Sequence, residues 1–185
     1  MPSRRAHCSI SRAAAHPRGF AAFLALLTLL LAGCTADEPG RLRAGQPFPQ
    51  LRLSGLDGSV LETGSLAGKV LVLNVWATWC PPCVEEMPSI QRLYEQLGPK
   101  GLRVVAVSID DADADKVLDW ARERELTFDL LHDRSAAIER TYQTTGVPES
   151  FVIDRNCVII KKVIGAAEWD GPVTATLLRR LLDAR

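Results

Sequence analysis

The chain has 185 residues, and its 47% hydrophobic and 24% charged residues suit an ordinary globular protein rather than a disordered one. With 22 Lys and Arg against 22 Asp and Glu, and no basic run beyond the first twenty residues, it carries no electrostatic footprint for nucleic acid. Eleven Pro and 13 Gly spread without a fixed period exclude collagen-like, solenoid and low-complexity architectures, so one domain is expected.

Residues 1–19 hold Arg4, Arg5, Arg12 and Arg18 and no acid, and an apolar stretch from Phe20 to Ala32 follows. This is the order of a secretory signal. Thirteen residues cover roughly 20 Å of a hydrocarbon core of roughly 30 Å, too short for a comfortable permanent span. The stretch ends in Leu31-Ala32-Gly33-Cys34, which resembles the lipobox of bacterial lipoproteins, where the Cys receives diacylglycerol and becomes the new N-terminus. The resemblance implies a signal peptide over residues 1–33, a lipid anchor at Cys34 with a Pro39-Gly40-containing tether to residue 44, and a domain over 45–185. An ordinary signal with an incidental Cys34, and twin-arginine export through Arg4-Arg5, stay open as alternatives. Cleavage before Cys34 leaves 152 residues with a formal charge of −4.

Val70-Leu71-Val72-Leu73-Asn74-Val75-Trp76 is a run buried on both faces, as in a central parallel strand. Pro81 and Pro82 then suit the first turn of a helix, and Val84, Met87, Ile90, Leu93, Tyr94 and Leu97 repeat at helical spacing up to Gly98-Pro99. Pro88 predicts a kink within it. Residues 103–109 read as a second buried strand, completing a βαβ unit with the pair Cys80 and Cys83 at its crossover.

The acids from Asp110 to Asp115 read as the solvated start of a helix through Trp120. A calcium loop counted from Asp111 has Lys116 where Gly belongs and Arg122 where Glu belongs, which argues against calcium. A short helix over 135–142, a strand over 150–153, a turn at Asp154-Arg155-Asn156, a strand over 158–164 and a helix opening at Pro172 complete an α/β fold with one mixed sheet.

Of five cysteines, Cys8 falls in the discarded segment and Cys34 is taken by lipid, leaving Cys80, Cys83 and Cys157. A structural zinc needs two further ligands beside a Cys-x-x-Cys, and the mature chain offers only Cys157 and His132, so no metal is expected. A structural disulfide closing so small a loop adds little stability. The pair therefore reads as a redox dithiol. Cys80 at the helix N-terminus is the nucleophile, its thiolate favoured by free N–H groups and the helix dipole, and Cys83 is the resolving thiol.

Trp79-Cys80-Pro81-Pro82-Cys83 at a strand-to-helix junction, with Gly146-Val147-Pro148 before a later strand, resembles the thioredoxin fold. Gly68-Lys69-Val70, the run Asn74 to Cys83, Glu86-x-Pro88 and Gly146 to Asp154 resemble, more narrowly, the TlpA/ResA/CcmG family of membrane-tethered thiol-disulfide oxidoreductases. The likeness covers about residues 45–183. It implies a monomer without cofactor that acts on protein disulfides outside the cytoplasm, apocytochrome c among them, and is recharged by a membrane thiol-disulfide electron donor. It also implies that Glu86 is a partly buried acid moving protons near both sulfurs, its pKa raised by desolvation, and that Pro148 is cis with Val147 facing the cysteines. A surface role for Glu86 beside Glu85 and a trans Pro148 stay open. Asn74 stands where thioredoxin proper carries a buried Asp. Trp79 shapes the rim of the nucleophile or serves packing alone.

Pro81 and Pro82 offer no N–H to the Cys80 sulfur, which predicts a less stabilised thiolate and a reductant rather than a strong oxidant. Cys157 departs from the family, where a turn Gly is common, and reads as an inert thiol. Two other functions compete. A Cu(I)-binding chaperone would use Cys80, Cys83 and His132 or Met87. A peroxiredoxin-like peroxidase needs Pro and Thr or Ser where Leu73 and Ala77 stand.

Overall fold

A computed structural model describes residues 41–184. The expected export signal and the expected lipidation at Cys34 fall outside the described residues. Seven strands form one sheet: β1 (Arg52–Gly55), β2 (Val60–Glu62), β3 (Val70–Trp76), β4 (Leu102–Ser108), β5 (Asp129–His132), β6 (Glu149–Ile153) and β7 (Ile159–Ile164). Four α-helices accompany them, α1 (Pro81–Leu97), α2 (Ala114–Arg122), α3 (Ala137–Tyr142) and α4 (Pro172–Asp183). The order across the sheet is β2-β1-β5-β4-β3-β6-β7, with β3, β4 and β5 parallel and the remaining neighbours antiparallel.

All seven residues of β3 are buried because both faces of the sheet are covered. The pleat sends Val70, Val72 and Trp76 into a core with Met87, Ile90 and Leu93 of α1, Val117 of α2 and Leu178 of α4. Leu71, Leu73 and Val75 enter a second core with Phe48, Ile138 and Tyr142. Asn74 shares the pleat of Val72 and Trp76, so a polar side chain is delivered toward α1 inside an apolar layer. The α1 helix runs through Pro88, whose missing N–H leaves the Val84 carbonyl without its intrahelical donor.

Strands β1, β2 and β5 were not expected from the sequence. They have three or four residues, and β1 and β2 pair as a hairpin that meets β5 through Ser54 opposite His132. The acidic segment also departs from the expectation. Asp111, Asp113 and Asp115 are exposed, but Asp110 is 2% exposed, and its side chain turns back into the fold. Ahead of β1, Gly45 N–H donates to the Ile159 carbonyl and Phe48 N–H to that of Cys157, so ordered pairing onto β7 begins at Gly45.

Candidate active site

Strand β3 ends at Trp76, and Ala77 to Cys80 turn sharply into α1, the Cys80 N–H donating to the Ala77 carbonyl. Cys80 is the N-cap of α1, with Pro81 and Pro82 at its first two positions. Proline costs nothing there because those N–H groups have no intrahelical partner. The two prolines remove two donors from the sulfur, and one remains: Cys83 N–H donates to Cys80 Sγ at 3.2 Å. Cys80 and Cys83 are joined by a disulfide with their Cα atoms 5.3 Å apart, and both are buried.

The Val147–Pro148 peptide bond is cis. The preceding Gly146 has φ +155°, a conformation side chains rarely adopt. Because β6 runs antiparallel to β3, with Glu149 opposite Val75, its start lies beside the end of β3, and the Val147 carbonyl oxygen sits 3.5 Å from Cys80 Sγ. Pro148 is buried and Val147 half-buried. Trp79, 63% exposed beside the buried Cys80, stands as an apolar surface next to the sulfur.

Glu86 is one turn beyond Cys83 on the same buried helix face and is 3% exposed. Asn74 Nδ2 donates to its Oε1 at 2.7 Å, and Ala167 N–H and Trp169 Nε1–H each donate to its Oε2 at 3.1 Å. Desolvation dominates these three bonds and holds its carboxyl above the usual range. Ser89 Oγ donates to the Glu86 carbonyl and accepts Trp169 N–H, and Arg92 pairs with Asp170, so the loop after β7 is pinned to α1. A surface cavity of about 210 Å³ is lined by Glu85, Glu86, Ser89, Arg92 and Ala167. A larger cavity of about 430 Å³ lies under the β1–β2 hairpin and holds none of the site residues.

Three further buried acids belong to this end of the sheet, and one of them, Asp133, accepts Ile138 N–H at 2.6 Å at the start of α3. Glu149, wholly buried, accepts Thr145 N–H at 3.1 Å and lies 2.8 Å from Lys162 Nζ, which ties the segment before cis-Pro148 to β7. It lies inside a motif read from the sequence, but a single Glu in a strand gives no sign of its partner on the neighbouring strand β7. Asp110 accepts from Thr78, within the turn that leads to Cys80.

His132 Nε2 lies 2.8 Å from the Asp110 carbonyl oxygen and so carries its proton toward it. Met87 packs in the α1 core with Cys80 and Cys83. Leu73 and Ala77 are buried core residues. Among the described residues, no group of three or more His, Cys, Asp or Glu is placed to hold a metal. Cys157 is half-buried in the turn before β7 with φ +60°.

A disulfide at a helix N-terminus beside a cis-proline segment, on a mixed sheet flanked by helices, defines a thioredoxin-like thiol-disulfide oxidoreductase. Residues 43–178 match the Redoxin family, and the chain belongs to it. It is 32% identical over 136 residues to the thiol-disulfide oxidoreductase ResA of Bacillus cereus, covering 74% of this chain and 78% of the relative. To the thiol:disulfide interchange protein DsbE of Escherichia coli it is 36% identical over 142 residues, 73% of this chain and 74% of the relative. A crystal structure of a thiol:disulfide interchange protein DsbE from Chlorobium tepidum superposes with a TM-score of 0.70 at 28% identity, covering 76% of this chain and 99% of that one.

Proposed function

We propose that the protein is a reductant of protein disulfides in the cell envelope, with apocytochrome c as substrate, tethered by lipid on Cys34 to a bacterial membrane and facing the periplasm or cell exterior. In this reading residues 1–33 are its signal, residues 34–44 its tether and residues 45–185 its working domain. The observation that carries the direction of transfer is the helix start. Two of the three helix-start positions that face the Cys80 sulfur are prolines and supply no N–H, so Cys83 N–H is the one backbone donor to the thiolate, and a dithiol with a weakly stabilised reduced form gives up electrons readily.

The substrate segment lies across Trp79 and the Val147-Pro148 backbone. The Cys80 thiolate attacks one sulfur of the substrate disulfide, forming a mixed disulfide and releasing the other sulfur as a thiolate that takes a proton. Glu86 accepts the Cys83 proton, and the Cys83 thiolate attacks Cys80 Sγ. This expels the second substrate thiolate and leaves the Cys80–Cys83 disulfide. Two electrons have passed to the substrate. The cavity beside Glu86 lets its proton reach water while the substrate covers Cys80. A membrane thiol-disulfide donor returns the pair to the dithiol form.

The reduction potential of the Cys80–Cys83 couple, set against glutathione and dithiothreitol buffers, tests this. A value near or below about −230 mV is expected, and one near about −120 mV would make the protein an oxidant and overturn the direction.

A further inference from the structure

The Asp110 carboxylate is buried, and every group that reaches it is a donor. Thr78 N–H approaches Oδ2 at 3.0 Å, Thr78 Oγ1–H approaches Oδ1 at 2.6 Å and Ser108 Oγ–H approaches Oδ2 at 2.6 Å. Ser108 Oγ in turn accepts the Asp110 N–H at 3.1 Å, and the Asp110 carbonyl accepts from His132. Among the described residues no Lys or Arg forms an ion pair with Asp110, unlike Asp111, which pairs with Arg134. The carboxylate therefore sits inside the fold without a counter-cation, accepting from Thr78 in the turn that ends at Cys80 and from Ser108 at the end of β4.

We infer that Asp110 is a positioning residue for the attacking thiol: it clamps Thr78, fixes the Ala77–Cys80 turn, and sets its negative charge against the Cys80 thiolate. The inference rests on Cys80 being the attacking thiol, as proposed above. Thr78 is two residues from Cys80, and the Cys80 N–H to Ala77 carbonyl bond folds that short segment on itself. The carboxylate thus lies within roughly 10 Å of the sulfur. At an effective dielectric of about 20 to 40, a unit charge at that distance moves a thiol titration by about half a unit to one unit. A negative charge disfavours the thiolate and hence the reduced form, so Asp110 acts in the same direction as the two prolines and makes the couple more reducing.

Asparagine at this position separates charge from shape. Its Oδ1 can accept both Thr78 donors, since the Thr78 nitrogen is also 3.3 Å from Oδ1, and its Nδ2 can donate to Ser108 Oγ. Thr78→Val is the converse change, removing a hydroxyl donor and keeping the charge.

The test follows iodoacetamide alkylation of the Cys80 peptide by mass spectrometry across pH, in the full chain carrying Cys83→Ser. The other ionisable groups buried near the turn are Glu86 on α1, Glu149 with Lys162 on β6 and β7, His132 on β5 and Asp133 just after it, and all stay unchanged through the series. Asp110→Asn is expected to lower the alkylation midpoint by about half a unit to one unit, and Thr78→Val to leave it in place. A midpoint within 0.2 unit (roughly the precision of such a titration) of the parent in Asp110→Asn, or an equal shift in Thr78→Val, overturns the inference. Should Asp110→Asn not fold, Asp110→Ala with Thr78→Val removes the carboxylate together with the Thr78 hydroxyl, leaving Thr78 N–H and the Ser108 hydroxyl in place, and carries the same expectation. If instead a Cys80→Ser chain still reduces disulfides, it is the assignment of the attacking thiol that fails.

Discussion

Asn74 Nδ2 lies 2.7 Å from Glu86 Oε1, so the strand that delivers the cysteines and the helix that carries them are joined by one buried hydrogen bond. The same nitrogen reaches Ser150 Oγ at 2.8 Å, which brings β6 into the contact, while Asn74 Oδ1 has no hydrogen-bond partner among the described residues. Asn74→Asp would set a second carboxyl against Glu86 in a dry layer. The two are expected to titrate as a coupled pair, one of them well above the ordinary range, with a loss of stability at neutral pH of about 2 kcal/mol that shrinks on acidification. Urea unfolding at pH 5 and pH 8 measures it, and equal losses at both would contradict the coupling.

Glu86 itself titrates above the usual carboxylate range because burial outweighs its three donors. The folded state therefore binds more protons than the unfolded chain between the two values. Its contribution is fully present below the unfolded carboxylate pKa and is lost as pH rises through the raised folded value. Glu86→Gln should flatten that fall in stability while slowing disulfide reduction at pH 7 by about 100-fold, the scale of a lost proton acceptor. Paired unfolding and turnover profiles against pH check both signs.

Trp169 donates to Glu86 from a loop that the Arg92–Asp170 pair and Ser89 secure. Trp169→Phe keeps the packing and removes that donor. Stability should fall by about 1 kcal/mol, and the pH at which turnover rises should move upward, because an ionised Glu86 loses one of its supports. An unmoved profile would show that Trp169 serves packing alone.

Lys162 Nζ sits 2.8 Å from Glu149 Oε1, and both side chains are largely hidden. Lys162→Met leaves Glu149 buried and unpaired, at an expected cost of about 3 kcal/mol. Adding Glu149→Gln should recover most of it. A denaturant double-mutant cycle reads the recovery, and strictly additive losses would mean that the pair is not coupled.

Cys157 adopts φ +60° in the turn between β6 and β7, a conformation that disfavours any side chain. Cys157→Gly should raise stability by roughly 0.5 to 1 kcal/mol with disulfide reduction unaltered. Thermal unfolding and an insulin-reduction assay give the two readouts.

The parts of the fold legible in the sequence were those with long, one-sided signals. Val70 to Trp76 is a seven-residue buried strand, and the α1 spacing from Met87 to Leu97 leaves no other reading. Strands β1, β2 and β5 carry three or four residues with mixed exposure, too short for alternation to register. Helical spacing shows that Cys83, Glu86, Met87 and Ile90 share a face, but the polar residue on that face is recognisable as buried only once Asn74 and Trp169 are seen to meet it. Asp110 was hidden in a run of acids, and one residue of strand geometry separates it from its exposed neighbours. The departure of Cys157 from glycine was visible beforehand, and the positive φ now gives it a physical meaning.

The placement of Val147 beside Cys80 follows from two strands that run in opposite senses, with Glu149 fixed opposite Val75 and Ser150 opposite Asn74. The distance between the Cys80 sulfur and the Val147 carbonyl is thereby set by the ladder rather than by the connection from α3. Thr145, whose N–H donates to Glu149 Oε2, shares that constraint, and one residue gained within β6 would carry the side chains of the strand beyond it to the opposite face. Pairing within the sheet thus decides where the cis-proline segment stands beside the disulfide.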